Sequence, residues 1–383
     1  MKIGILTYHR SVNYGAFLQA YCLAKYIKGV LKNKAEIEII DYTSIKAMQY
    51  YNSLIIKGIS KRHELKKRMS FIRSSFLLPL SKEKIYSDDI EEIRKYLERQ
   101  NYDLIIVGSD EIWKVNGMRG FPNAYWLNFE LNGCIRMSYA ASSRTPFETI
   151  TKEKIQYIKE ATDRFTYIGV RDAMTFDMLE QIGVKKVYLN CDPTFLISFS
   201  YDKEKFKDRL YKRFKISSHT KIIGVMIPDN KLITKIKKRM GNRYKVIALN
   251  DYHQDADYNC IDINPFEWIK ILGVLDYFVS DRFHGIVFAI KMSIPFLAIE
   301  TYDKAECSKL KYLLESNGLK TQYFSKPKMN LDYEKLVEKI EEDEKNFERP
   351  KLLKVVQREK RKADSFKKKL LEIVEDSNNE TIG

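Results

Sequence analysis

Short, largely continuous apolar runs rich in Ile and Val recur along the chain. They are Ile3–Thr7, Ile37–Asp41, Leu104–Gly108, Met137–Ala141 and Tyr167–Val170, then Ile222–Ile227, Val246–Leu249, Tyr277–Ser280 and Phe296–Ile299. A strand wetted on one face must alternate apolar and polar positions, whereas a strand covered on both faces need not. These runs therefore predict parallel strands buried inside a sheet. Between most of them apolar positions recur at helical spacing, predicting helices over Ala16–Gly29, Lys152–Asp163, Ala173–Ile182, Leu232–Met240, Phe266–Gly273 and Ile286–Lys291. Alternation of strand and helix predicts an α/β doubly wound fold. The pattern restarts near residue 221, after the basic, strand-poor stretch Tyr201–Thr220. Two Rossmann-like domains follow, about 1–200 and 215–330, facing across a cleft. Residues 44–100, mixing charged and apolar positions at helical spacing, predict a helical insertion. Residues 331–383 predict a charged C-terminal helical tail from Tyr333 to about Glu375, with the last few residues disordered.

Composition narrows the class. The length of 383 residues suits two domains of ordinary size, and 44% hydrophobic with 13% aromatic residues excludes a mainly disordered chain. The five cysteines (Cys22, Cys134, Cys191, Cys260, Cys307) are scattered without a C-x-x-C pair, which predicts reduced, mostly buried thiols rather than a disulfide framework or zinc site. No apolar run approaches the roughly 18–20 residues a bilayer span requires, and the apolar start MKIGILTY is too short for a signal peptide. A cytoplasmic, soluble protein is expected. The net charge of +16 is uneven: residues 57–73 hold seven Lys/Arg against one acid, 202–245 fifteen against four, and 351–371 nine against two. Such excess suits nucleic acid, an anionic membrane surface or small anionic substrates, or is simply solvated helix face. No nucleic-acid-binding module is recognisable, so nucleic acid ranks last.

In an open α/β sheet, ligands bind where strands end and helices begin. Four such turns carry candidate chemistry. The first, YHRSVNYGAF, leads through Asn13, Tyr14 and Gly15 into a helix start that favours an anion or a hydroxyl-rich ligand, or is a plain helix cap. The second, VGSDEIW, offers Asp110 and Trp113 as a carboxylate and an indole face for a sugar, with capping the alternative. The third places Arg171 at a strand end, able to fork a carboxylate or phosphate, or to pair with Asp172 or Asp192. The fourth, Ser280-Asp281-Arg282-Phe283-His284-Gly285, concentrates a permanent cation, a titratable imidazole and a helix N-terminus expected near Gly285. Arg282 and His284, two apart in an extended segment, are expected to face one ligand. His253, Asp255 and Asp257 have metal-like spacing but no evident fourth ligand, so no metal is expected. No dinucleotide fingerprint, P-loop or G-x-S-x-G elbow is present, and no cofactor is expected.

Taken in order, GILTYHRSVNYGAFLQAY (4–21), YDLIIVGSDEIW (102–113), SYAAS (138–142), GVRDAMTFDMLEQIG (169–183), CDPTFL (191–196) and VSDRFHGIVFAI (279–290) resemble the polysaccharide pyruvyl transferase family. The resemblance covers roughly residues 3–300, and the ordered set is far more specific than any one motif. It implies a fold similar to B-type glycosyltransferases. It also implies transfer of pyruvate from phosphoenolpyruvate to two hydroxyls of a sugar or lipid-linked glycan, giving a ketal and free phosphate in cell-envelope or exopolysaccharide biosynthesis. By resemblance His284 is the catalytic histidine, while Arg282 and Arg171, with Gly285 beside them, bind the donor. Asn13, Tyr14, Gly15, Asp110 and Trp113 are acceptor-side candidates, and Asp192 is a candidate base. The rival expectations are a nucleotide-sugar-dependent glycosyltransferase of similar fold, or a non-catalytic protein binding anionic surfaces. Peripheral contact with an anionic inner membrane is compatible with the first reading as well as the last.

Overall fold

The computed structural model describes every residue except 33, 57–60, 301–307, 326–331 and 381–383, together with the backbone alone of 54–56, 61 and 378–380. Cys307 and the last three residues thus lie outside the described residues. The strands in chain order are β1 (Lys2–Leu6), β2 (Glu36–Thr43), β3 (Leu80–Tyr86), β4 (Leu104–Val107), β5 (Ile135–Ala141), β6 (Tyr167–Val170) and β7 (Val187–Leu189). Then come β8 (Lys221–Met226), β9 (Tyr244–Ala248), β10 (Tyr258–Asn259), β11 (Tyr277–Ser280), β12 (Phe296–Glu300) and β13 (Tyr323–Ser325). The helices are α1 (Tyr14–Leu31), α2 (Ile45–Ile56), α3 (Lys61–Ser75), α4 (Ile90–Gln100), α5 (Lys152–Thr162), α6 (Ala173–Ile182) and α7 (Lys203–Phe214). They continue with α8 (Asn230–Met240), α9 (Pro265–Gly273), α10 (Phe283–Lys291), α11 (Lys309–Ser316), α12 (Tyr333–Asn346), α13 (Arg349–Arg361) and α14 (Asp364–Glu380).

Two compact units result. The first comprises Met1–Gly58, Ser75–Ile197 and Glu359–Gly383; the second comprises Ile59–Ser74 and Ser198–Arg358. The first holds a seven-stranded parallel sheet in the order β3-β2-β1-β4-β5-β6-β7. Its central strands β1 and β4 are buried on both faces, Ile3, Ile5, Ile105 and Val107 having no exposed surface. The second holds a six-stranded parallel sheet, β10-β9-β8-β11-β12-β13. Ile223, Val225, Val279 and Leu297 form the middle of its core with Leu232 and Ile236 of α8 and Ile340 of α12. Both sheets run outward from a central pair, β1/β4 and β8/β11, so each has one point where strand order reverses and a crevice opens at the carboxyl ends.

Residues 44–100 are not purely helical. The stretch contains β3, paired in parallel to β2, and one of its helices, α3, belongs to the second unit. Four strands escape the sequence pattern: β3, β7, β10 and β13. Every one is a sheet edge. Edge strands are short, half-wet or charged because unpaired edges invite aggregation, and those properties erase the apolar run. β3 reads LSKEKIY with only Ser81 and Ile85 buried. The basic stretch around α8 faces acidic α12: Arg239 and Arg243 reach Glu341 at 3.1 and 3.4 Å, and Lys235 pairs with Glu334. Part of the positive charge is therefore answered inside the unit.

Candidate functional site

In the first unit the turns after β1 and β4 meet at the reversal point. Gln19, fully buried on α1, stitches them: its amide donates to the Thr7 hydroxyl (2.9 Å) and the Tyr8 carbonyl (2.9 Å) and accepts from the Ser109 amide (3.1 Å). Gly108 is required here, because at φ +127° a Cβ would lie 2.0 Å from the Tyr139 carbonyl oxygen. Asp110 follows at φ +87° and its carboxylate accepts from Arg171 at 3.1 Å.

Arg171 is the best-anchored charge in this unit. Its guanidinium donates to Asp192 at 2.8 Å and to Asp110 at 3.1 Å, and its side chain is 2% exposed. Burial alone would depress its pKa, but the carboxylates of Asp110 and Asp192 outweigh burial and raise it. Of the two sequence alternatives, the ion pair is the one formed, with Asp192 and with Asp110 rather than Asp172. Asp172 caps α6 and accepts from Thr175 and Ser142. Asp192 also accepts from the Thr194 amide (3.0 Å) and hydroxyl (2.6 Å).

Two acceptor-side expectations change. Trp113 has no exposed surface: it stacks on Trp126 at 5.0 Å, and its indole N–H donates to the Tyr125 carbonyl. It fills the core and offers no face to a sugar. Asn13 accepts from the amides of Gly15 (2.9 Å) and Ala16 (3.2 Å), so the α1 start is already capped, and Tyr14 and Gly15 are buried. The groups gathered at this mouth are instead ones the sequence did not single out. The Arg119 guanidinium lies 3.5 Å above the Tyr8 ring, within side-chain hydrogen-bonding reach of Tyr51 and Tyr125. Burial pushes the Tyr125 phenol up to about 12, although Arg119 pulls the other way. Beside them Asp41 accepts from buried His9 (3.0 Å) and from Arg10 (2.8 Å). The His9 ring also contacts the Thr7 carbonyl at 3.0 Å.

In the second unit the SDRFHG segment follows β11, directly beside β8 at the reversal point. Its helix begins earlier than the sequence suggested. Arg282 is the residue before the first turn (φ −100°, ψ 124°), so α10 starts at Phe283 and His284 stands in that first turn rather than in an extended loop. No side chain caps α10. The Arg282 amide donates to Ser280 Oγ at 2.9 Å, and the guanidinium lies 3.0 Å from buried Asp281. Gly285 is a packing glycine: a Cβ would stand 2.9 Å from Ser280 Oγ and 3.1 Å from the Phe278 ring, so its absence seats α10 on β11.

The inserted helix α3 lies over the carboxyl ends of this sheet. His63 contacts Asp262 at 3.0 Å, beyond β10, and Lys67 donates to Asn250 Oδ1 at 3.1 Å, beyond β9. Lys67 is 6% exposed. Burial lowers its pKa, Glu64 and Asp251 oppose that, and Arg282 is near enough to add repulsion. One signal for it existed in the sequence: Lys67, Phe71 and Ser74 fall at i, i+4 and i+7, which puts a lysine on the buried stripe of α3.

His253, Asp255 and Asp257 do not converge. His253 contacts Asn230, Asp255 accepts from Thr234, and Asp257 accepts from Lys245 and the Val246 amide. Among the described residues no three His, Cys, Asp or Glu side chains come together, and no helix is long and apolar enough to cross a membrane. Cys22, Cys134, Cys191 and Cys260 are free thiols, and burial pushes Cys134 up to about 11 and Cys260 up to about 12.

Solved structures with this fold include UDP-GlcNAc 2-epimerases. That of Methanocaldococcus jannaschii is 11% identical, with a TM-score of 0.54 over 89% of this chain and 92% of its own. A putative UDP-N-acetylglucosamine 2-epimerase from Listeria monocytogenes is 9% identical, TM-score 0.54, over 93% and 90%. The Neisseria meningitidis enzyme bound to UDP-GlcNAc is 13% identical, TM-score 0.51, over 92% and 96%. Identities this low establish the fold alone: two parallel sheets in a B-type glycosyltransferase-like arrangement with C-terminal helices. No curated protein matches the chain. The polysaccharide pyruvyl transferase pattern does match, across residues 13–303 and so over most of the chain, including the turn after β4 and the SDRFHG segment. By that match the chain belongs to the polysaccharide pyruvyl transferase family.

Proposed function

We propose that the chain transfers pyruvate from phosphoenolpyruvate to a pair of hydroxyls on a sugar, closing a ketal and releasing inorganic phosphate. The observation that carries this reading is the uncapped start of α10, where Arg282 and His284 stand together at the reversal point of the second sheet. A helix N-terminus presents unpaired N–H groups and a partial positive charge, which with Arg282 suits a small, multiply charged anion. Family membership supplies the transferase class.

In this reading His284, protonated, delivers its proton to the methylene carbon of phosphoenolpyruvate. The adjacent carbon becomes an oxocarbenium-like centre, and one sugar hydroxyl adds to it, returning a proton to the now neutral His284. The second hydroxyl then attacks the same carbon, the carbon–oxygen bond to phosphate breaks, and phosphate leaves with the electron pair and takes up that hydroxyl's proton. Arg282 and the α10 amides offset the charge that gathers on the leaving group, an electrostatic contribution. Arg171 holds Asp110 and Asp192 in place rather than gripping the donor. The acceptor is a sugar in a surface polysaccharide or its lipid-linked precursor.

The test is phosphate release from phosphoenolpyruvate in the presence of a glycan acceptor, with nucleotide sugars as competing donors. His284→Gln, folded by circular dichroism, should lose at least ~100-fold in turnover, the usual reach of a general acid. Turnover within a factor of three of the unaltered chain rules out the role of His284, and stabilisation by nucleotide sugars but not by phosphoenolpyruvate rules out the donor.

A further inference from the structure

In the first unit a pocket of about 460 Å³ opens between the last turns of α1 and helix α14, a size typical of small-ligand sites. Its floor is apolar: Leu31 is buried, and Val30, Ile197 and Leu371 are half-buried. Four exposed lysines edge it, Lys25, Lys32 and Lys34 from α1 and the turn beyond it, and Lys367 from α14. Lys369, one turn-position away, pairs with Glu372 at 3.3 Å, but among the described residues none of those four forms an ion pair with a carboxylate. Residues 11–35 hold four lysines and no Asp or Glu. Burial raises the pKa of the Tyr26 phenol in the pocket wall, so it stays neutral, and Asp364 at the start of α14 is the acid near enough to act on it.

Lysines in the last turn of a helix offset its dipole. That accounts for Lys28 and Lys32, but not for Lys34, Lys367 or the apolar floor between them. Gly29 lines the same pocket. Glycine is disfavoured in a helix against alanine, and a Cβ here would meet no atom within 4 Å, so packing does not demand its absence. What the missing side chain does is keep the wall open. Because α1 starts at the carboxyl end of β1 and rises about 1.5 Å per residue, Lys25 to Leu31 lie roughly 15–25 Å from the Asn13 turn. The pocket is therefore separate from the turns that carry the candidate chemistry of this unit.

We infer that this pocket binds an acidic phospholipid of a membrane surface, its phosphate among the four lysines and an acyl chain along Leu31, Ile197 and Leu371. A free phosphate would have no use for the apolar floor, and a neutral apolar molecule none for the lysines. The contact is peripheral, adding electrostatic attraction to a shallow apolar anchor. It goes beyond the proposed reaction and does not depend on it.

The test is flotation of the full chain with vesicles of phosphatidylglycerol and phosphatidylcholine in equal parts, against phosphatidylcholine alone. The chain should bind only the anionic vesicles, and more weakly as salt rises. Lys32→Glu/Lys367→Glu should weaken that binding at least ~30-fold, whereas Lys203→Glu/Lys205→Glu, the same charge change on exposed lysines of α7, should stay within about threefold. Gly29→Gln keeps every lysine and narrows the pocket. It should bind at least ~5-fold more weakly, with its melting temperature level or raised, since glutamine suits a helix better than glycine. Equal loss in the α7 pair, or unaltered binding by Gly29→Gln, shows diffuse surface charge and overturns the inference, as does failure of the unaltered chain to bind anionic vesicles. A dimer that forms without lipid and is broken by Lys32→Glu/Lys367→Glu assigns the pocket to a second copy of the chain and overturns the lipid.

Discussion

Arg171 and Asp192 form an ion pair at 2.8 Å in which neither side chain is more than 2% exposed. Each carboxylate around Arg171 is tied to a different turn, Asp192 to the one after β7 and Asp110 to the one after β4, so one guanidinium locks two loops to the end of β6. Removing one partner from a buried pair leaves an uncompensated charge, a loss of about 3–5 kcal/mol. Arg171→Met should therefore lower the free energy of unfolding by roughly that amount in urea titration. Arg171→Lys, a point charge without a planar fork, should fall between the two. An unchanged denaturation midpoint in the Met variant would contradict a positioning role.

Acid should find a weak point at Asp41. Burial pushes its carboxyl up, but the hydrogen bonds from His9 and Arg10 outweigh burial and hold it well below the usual carboxylate range. A depressed carboxylate contributes stability that is present above its unfolded pKa of about 4 and is lost as pH falls toward the folded value. The chain should lose stability between about pH 5 and pH 3, and Asp41→Asn, weaker at pH 7, should lose less over that interval. Parallel curves for the two proteins would remove Asp41 from the acid response.

Lys67 should favour the folded state in alkali. Burial lowers this lysine's pKa, with Arg282 adding to the effect. The unfolded chain therefore binds more protons between the lowered value and the ordinary lysine value of about 10.4, so stability should rise with pH over that window. Lys67→Met, which cannot titrate there, should lack that rise. An identical pH dependence of the two proteins would show that another group sets it.

Trp113 separates packing from recognition. Its stack on Trp126 and its bond to the Tyr125 carbonyl are internal. Trp113→Phe should lower stability by roughly 1–3 kcal/mol, as other core truncations do, while the Michaelis constant for acceptor stays the same. A raised constant with unchanged melting would return Trp113 to the acceptor surface.

The sequence by itself determined the central strands, the helices between them and the position of the SDRFHG segment. These depend on apolar spacing within windows of a few residues, and β1, β4, β8 and β11 are buried on both faces, so their runs are continuous. Edge strands escaped because solvent and charge dilute the run, and the start of α10 was misread because Arg282, a poor capping residue, stands where a cap belongs. Which charges meet was decided only by the tertiary structure. Arg171 and Asp110 are 61 residues apart, and Lys67 and Asn250 are 183 apart. No local pattern encodes such pairs, because their energies depend on burial and on partners that only the folded sheet ends bring within reach. Of the positive charge in the sequence, Arg239 and Arg243 pair with Glu341 of α12, the Arg171 guanidinium locks two loops, and α3 carries Lys67 to Asn250.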